Sequence, residues 1–279
     1  MTTPVRIINL IENTEGAPGC TAAHGLCFYV KTPGHRLLSD LGPSADTLAN
    51  AQHLGIDLTQ VDTVVLSHGH YDHSGGILPF TRINDSARIY MQDFADGAYY
   101  SDDGPEKGFR YIGIDPQIAA LPQLVRVQGD LDLDDELSLL TVREQIVPIP
   151  STNRKLMRRQ GDAYVPDDFR HEQMLVIRAG GKHILISGCA HNGILNILSA
   201  YEAKYGLAPD VVISGFHLMK REEYTEEERQ EIAAIALKLK QYPTTFYTCH
   251  CTGVPAYEQM KAILGGQLHY VHCGEEICL

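Results

Sequence analysis

From Val64 to Gly76 the chain reads Val-Val-Leu-Ser-His-Gly-His-Tyr-Asp-His-Ser-Gly-Gly, placing His68, His70, Asp72 and His73 directly after an apolar run. Val64, Val65 and Leu66 read as a buried strand, apolar on both faces and too short for a helix. The polar cluster then sits at the strand's C-terminal end, where open α/β sheets bind ligands. His68 and His70 are two apart, so extended geometry points both imidazoles the same way. Asp72 and His73 follow once the strand has turned, and approach from another side. Imidazole with carboxylate suits zinc, manganese or iron rather than calcium. A polar loop whose histidines merely hydrogen-bond is the weaker reading, because unpaired imidazoles packed this densely serve no structural need.

The same plan recurs. The run Ser187-Gly188-Cys189-Ala190-His191-Asn192-Gly193 ends an apolar strand and precedes a predicted helix from Ile194 to Tyr205. A strand from Asp210 to Ser214 ends at Gly215-Phe216-His217. Another, Thr244 to Thr248, ends at Cys249-His250-Cys251-Thr252-Gly253, followed by a helix from Ala256 to Leu264. Ligand-type side chains at the ends of several strands argue for one shared cleft. Cys249 and Cys251 project oppositely to His250 if extended, and read as core thiols.

The remaining elements frame these ends. Strands are predicted at Val5–Ile11, Leu26–Val30, Arg36–Ser39, Ala87–Met91 and Leu137–Val147, with helices at Thr47–Leu54 and from Ile77. Met174–Arg178 and His183–Ser187 read as a hairpin turned by glycine. Thr225 with Glu228 forms a capping box that opens a helix running to Lys240. Leu268–Val271 closes the sheet, leaving a tail with His272, Cys273 and Cys278. Residues 92–135 and 151–170 lack periodicity and read as irregular, pocket-shaping insertions. The first carries Tyr99, Tyr100, Phe109 and Tyr111, which suit an ordered lid or substrate wall. The second carries Arg154, Lys155, Arg158 and Arg159, read as a solvated face, with an anion-steering patch as the alternative.

The chain has 279 residues, with 23 Lys and Arg against 35 Asp and Glu, a net charge of −12. That balance argues against a broad phosphate-backbone footprint, so no nucleic-acid partner is expected. No stretch approaches the length of a membrane span, and Met1 to Leu10 lacks a signal-peptide pattern. Seven cysteines, an odd count, suit reduced thiols. The expectation is one cytoplasmic domain spanning residues 1–279 and acting on a small molecule, anionic ones included.

The run His68-x-His70-x-Asp72-His73 resembles the signature of the metallo-β-lactamase superfamily, and Asp40-Leu41-Gly42 resembles its short Asp-x-Gly element. With the segments around Cys189, His217 and His250, the chain resembles the dihydropterin–ribofuranosylaminobenzene phosphate synthase-like metal-dependent hydrolases. The resemblance implies an α/β fold, an αββα four-layer sandwich with mixed sheets and two divalent ions at the sheet edge. It places His68 and His70 on one ion, with His191 completing that site and His171 as a rival. Asp72, His73 and His250 fall on the second. Cys189 stands where the superfamily usually has a bridging aspartate, and its softness favours zinc over manganese or iron. Asp40 is expected to support the metal loop rather than bind. The implied function is hydrolysis of a small phosphoester, ester or related substrate by a metal-activated hydroxide, oriented by Asp72. His217 or Tyr111 would orient substrate, and His24 would line the pocket. A di-iron redox enzyme and a pterin-pathway synthase-like activity are the alternatives.

Overall fold

The computed structural model describes residues 4–279, so the first three residues of the Met1–Leu10 reading lie outside the described residues. In chain order the strands begin with β1 (Arg6–Ile11), β2 (Cys27–Lys31), β3 (Arg36–Ser39), β4 (Thr63–Val65), β5 (Arg88–Gln92), β6 (Tyr99–Asp102), β7 (Phe109–Tyr111), β8 (Leu124–Val127) and β9 (Leu131–Asp132). They continue with β10 (Leu137–Leu140), β11 (Leu156–Gln160), β12 (Ala163–Pro166), β13 (Met174–Ala179), β14 (Lys182–Ser187), β15 (Val211–Ser214), β16 (Thr245–Thr248), β17 (Leu268–Tyr270) and β18 (Glu276–Cys278). The helices are α1 (Asp46–His53), α2 (Tyr71–Ser74), α3 (Ile77–Thr81), α4 (Ile194–Tyr205), α5 (Glu226–Leu239) and α6 (Val254–Leu264).

Two seven-stranded sheets result, in the orders β18-β1-β2-β3-β4-β5-β8 and β17-β16-β15-β14-β13-β10-β9. Each is mixed: β3, β4, β5 and β8 run parallel, as do β14 through β17, while the remaining pairings are antiparallel. The period of two along each strand explains the layering. Ile7, Phe28, Val30, Leu37 and Val65 face a core shared with Leu175, Ile177, Ile184, Ile186 and Ile213 of the second sheet. Their sequence neighbours Ile8, Tyr29, Leu38 and Val64 face the other way, onto Ala51 of α1 and Ile77 and Phe80 of α3. On the second sheet, Val176, Leu185 and Val212 likewise turn outward to Ile197, Ile232, Ala236 and Met260 on α4, α5 and α6. Helices on both outer faces and two sheets between them make the four-layer αββα sandwich. Each such side chain, fully buried, contributes roughly 1.5–3 kcal/mol.

The boundaries differ from expectation at three places. The strand predicted over Leu137–Val147 stops at Leu140, because the backbone N–H and hydroxyl of Thr141 both donate to Asp130 Oδ1, at 2.8 and 2.9 Å. The C-terminal tail is not loose: Glu276–Cys278 pairs antiparallel with β1, adding an edge strand to the first sheet. The two stretches read as irregular instead combine into a third, four-stranded antiparallel sheet, β12-β11-β6-β7. Its outward face carries Tyr100, Phe109, Tyr111 and Tyr164, with Phe109 and Tyr164 stacked 3.9 Å apart. Aromatic side chains on the outer face, and an inner face that mixes Tyr99 and Leu156 with Ser101 and Arg110, break the usual alternation, which hid these strands.

His35, in the turn between β2 and β3, joins the sheets. Its Nδ1 lies 3.0 Å from Asp62 on the first sheet's side, and its Nε2 lies 2.8 Å from Asp134 in the β9–β10 turn of the second. Burial opposes its charge, but Asp62 and Asp134 outweigh burial and raise its pKa. A raised folded-state pKa means that this stabilisation is complete below the unfolded value, about 6.5, and is lost as pH rises above it. Thermal melts of wild type and His35→Gln should therefore differ most below that pH. The gap, on the order of 1 °C for a chain of this size, should close towards pH 8.

Candidate metal centre

The C-terminal ends of β3, β4, β14, β15 and β16 meet at one edge of the sandwich, where in-register parallel pairs such as Ser187–Ser214 and Ser39–Val65 level the strand ends. Non-glycine residues with left-handed backbone gather there: Asp40 (φ 60°), Ala190 (φ 54°), His217 (φ 48°) and His250 (φ 48°). Such residues cost about 1–3 kcal/mol each and persist only where the surroundings over-determine them. Each turns the chain sharply at a strand end. Gly188 lets the two sheets close, since a Cβ there would sit 2.2 Å from Ser67 Oγ and 3.1 Å from Asp40 Oδ2.

The imidazoles are oriented by groups behind them, and those groups assign the tautomers. Asp40 Oδ2 accepts from Ser67 Oγ at 2.7 Å, which leaves that oxygen to accept from His68 Nδ1 at 2.8 Å. His73 Nδ1 donates to Asp40 Oδ2 at 2.7 Å, His191 Nδ1 to Asn153 Oδ1 at 2.8 Å and His250 Nδ1 to Asn13 Oδ1 at 2.8 Å. With Nδ1 carrying the proton, the neutral rings of His68, His191 and His250 leave Nε2 as a lone pair pointing inward, and His73 does so once it gives up its second proton. His68 Nε2 and His191 Nε2 then face each other at 3.2 Å, two acceptors with no proton between them. Burial and the neighbouring histidines hold both pKa values well below the usual range, so the pair does not relieve itself by protonation. The buried Nε2 atoms of His70 and His250 have no hydrogen-bond partner. A cation satisfies all of these at once, so the donor set fits metal.

Two of the groups able to hold an ion are His68–His70–His191 and Asp72–His73–His250, the ligand atoms in each lying within 4.8 Å of one another. Asp72 Oδ2 lies 3.5 Å from His250 Nε2, 3.9 Å from His73 Nε2 and 3.3 Å from His24 Nε2. Burial alone would raise Asp72, but His73 and His250 outweigh it and keep the carboxyl well below the usual carboxylate range. Cys189 sits between the two groups, with Sγ 3.2 Å from His73 Nε2. Burial, and then Cys251, push its thiol up, so it keeps a proton until a cation displaces it. His73 is the imidazole that holds a proton: burial opposes the charge, yet Asp40 and Asp72 push it up to about 9.

The centre floors an open cleft with a volume of about 120 Å³, lined by His24, His70, Asp72, Cys189, His191, His217 and His250 among others. His217 is half-buried at the cleft wall, its ring 4.2 Å from that of His191, and desolvation followed by repulsion from His70 and Lys155 lowers it to about 3. Three expectations change. Tyr111 is outside the cleft, because strand alternation turns it to the lid's outer face, where its hydroxyl donates to Ile114 O at 2.9 Å. His171 has both nitrogens engaged, Nδ1 accepting from Gly69 N at 2.9 Å and Nε2 donating to Asp167 at 3.0 Å, so it braces the histidine loop. Cys251 is buried, as read for a core thiol, but the short helical turn His250–Thr252 ends the extended backbone and lets it also border the cleft and group with Cys189 and His250. Asn13 and Asn153 orient the rings of His250 and His191 from isolated positions that carry no spacing signal, while Ser67 stands next to His68 but shows its role only in the hydrogen bonds.

The chain belongs to the metallo-β-lactamase superfamily, whose family model matches residues 20–237. It is 28% identical to the solved structure of Tm1679, described as a metal-dependent hydrolase of the beta-lactamase superfamily, with a TM-score of 0.80 and 98% of each chain covered. From Methanocaldococcus jannaschii, a 7,8-dihydropterin-6-methyl-4-(beta-D-ribofuranosyl)-aminobenzene-5'-phosphate synthase is 23% identical over 98% of this chain and 96% of its own. The zinc-bound PqqB of Methylobacterium extorquens shares the fold, at 13% identity and a TM-score of 0.57, covering 98% of this chain and 100% of its own.

Three outcomes follow for metal uptake. Zinc binding to metal-free protein should release protons and tighten as pH rises towards about 9, because His73 and Cys189 must deprotonate; a pH-stat titration measures this. Asp40→Asn should weaken zinc binding roughly 10–100-fold in chelator competition, and Gly188→Ala should weaken it by displacing Ser67.

Proposed function

We propose that the protein is a binuclear, zinc-first hydrolase of small phosphoesters or related esters. The observation that carries this is the pair of inward-facing lone pairs, His68 Nε2 and His191 Nε2, 3.2 Å apart at the floor of an open cleft. His68, His70 and His191 would hold one ion; Asp72, His73, His250 and Cys189 would hold the other. Bound divalent ions lower the pKa of water and take up charge that develops on the substrate. Asp72 then presents an ionised oxygen at the cleft floor, where it orients the attacking water. Neutral His217, on the opposite wall beside His191, offers a hydrogen bond to the substrate without adding charge. Asp40, Asn13 and Asn153 hold the imidazoles in their binding tautomers. Among the described residues no helix is long and apolar enough to cross a membrane. All seven cysteines are free, which suits a reducing cytoplasm.

The test is metal analysis with a panel of phosphoesters, carboxyl esters and lactones. Wild type should carry two ions and hydrolyse at least one class, and chelation should abolish turnover. His68→Ala should lose an ion and nearly all activity. His217→Ala should keep its metal and lose roughly a hundredfold in kcat. Full activity without metal, or in His68→Ala, would overturn the reading.

A further inference from the structure

The wall facing the centre is the third sheet, and its register decides which side chains look inward. Arg110 on β7 pairs with Ser101 on β6, and Ser101 pairs with Leu156 on β11, so the three form one cross-strand row. All three line the cleft, together with Lys155 just before β11 and Tyr71 between His70 and Asp72. The adjacent row, Tyr100 with Tyr111 and Met157, faces away.

Two cations thus stand over the metal-type donors of a chain whose net charge is −12. Lys155 is exposed and has no ion-pair partner among the described residues. Arg110 is held by Asp103, its Nε donating to Oδ2 at 2.7 Å and its Nη2 lying 3.5 Å from Oδ1. That contact occupies one edge of the guanidinium and leaves N–H groups on the other. The hydroxyl of Tyr71 lies beside the same guanidinium. The common direction of the two cations is the space that a substrate fills.

We propose that Arg110 and Lys155 form an anion subsite, with Tyr71 as a further hydrogen-bonding group, and that it selects small organic phosphates by holding a phosphoryl oxygen opposite the metal ligands. The assignment rests on the hydrolase reading of the same cleft and adds the substrate class to it. Planar guanidinium and mobile ammonium suit phosphate jointly, the first by forked donation and the second as a point charge. Arg154 points elsewhere, and Arg158 and Arg159 pair with Asp168 and Asp162, so of the basic cluster in residues 151–170 Lys155 alone serves the cleft.

The experiment is calorimetric titration of inorganic phosphate into metal-loaded wild type, Arg110→Gln, Lys155→Gln, the double variant and the charge-conserving Lys155→Arg. Metal content is measured on every sample, and kcat/KM is measured on a phosphate monoester and an uncharged ester. Each glutamine variant should weaken phosphate binding about tenfold, the double variant more, and Lys155→Arg should retain most of the affinity. Wild-type affinity should fall as salt is raised. The ratio of kcat/KM for the phosphate monoester over the uncharged ester should fall in the same order. Wild-type phosphate affinity in the double variant at full metal content would overturn the subsite, as would no phosphate binding by wild type. If phosphate binding depends on both cations but no ester of either kind is hydrolysed, the subsite stands and the hydrolase reading falls.

Discussion

The carboxylate of Asp40 is the junction on which the centre depends. It is buried, on left-handed backbone at the end of β3, and accepts from Ser67 N, Ser67 Oγ and His73 Nδ1, each at 2.7 Å. Through Ser67 it sets the tautomer of His68, and directly it sets that of His73, so one residue orients an imidazole in each of two donor groups. Taking a carboxylate out of water is expensive unless its lone pairs are filled. Here they are filled by the residues that must be positioned. The other sheet touches the same junction through Gly188, where no side chain fits.

Such a junction survives because the sandwich is stiff. The strands bearing the centre bury apolar side chains on both faces, one against the opposite sheet and one against helices. Strain at Asp40, Ala190, His217 and His250 is therefore held between close-packed layers rather than relaxed in a loop. The lid sheet differs in kind. It is anchored by a small cluster of its own, Tyr99, Ile112, Leu156 and Phe169, and it brings Arg110 and the neighbouring Lys155 to the cleft.

The donor set is also graded in hardness. His68, His70 and His191 make a neutral imidazole group, whereas Asp72, His73 and His250 sit next to Cys189 and Cys251. A thiol beside the carboxylate-bearing group favours a soft ion there, while the all-imidazole group discriminates less. Loading the second group requires the loss of protons from His73 and Cys189, so pH and metal supply act on the same atoms.

The chemistry was legible in the chain because its chemical types are clustered: His68, His70, Asp72 and His73 are consecutive enough for spacing to fix their geometry. The core strands were legible because burial on both faces leaves continuous apolar runs, and the glycine-turned hairpin and the Thr225 capping box carry local signals. The aromatics of the third sheet suggested an ordered wall, but its strands were not legible, since they pair across long separations, as Leu156 with Ser101, and show their aromatic face to solvent. Tyr111 and Arg110 are neighbours that strand alternation sends to opposite sides, and only the register told which one enters the cleft. Likewise His171 and His191 are equivalent as letters. Gly69 and Asp167 engage one and Asn153 orients the other, and those hydrogen bonds exist only once distant segments have been packed together.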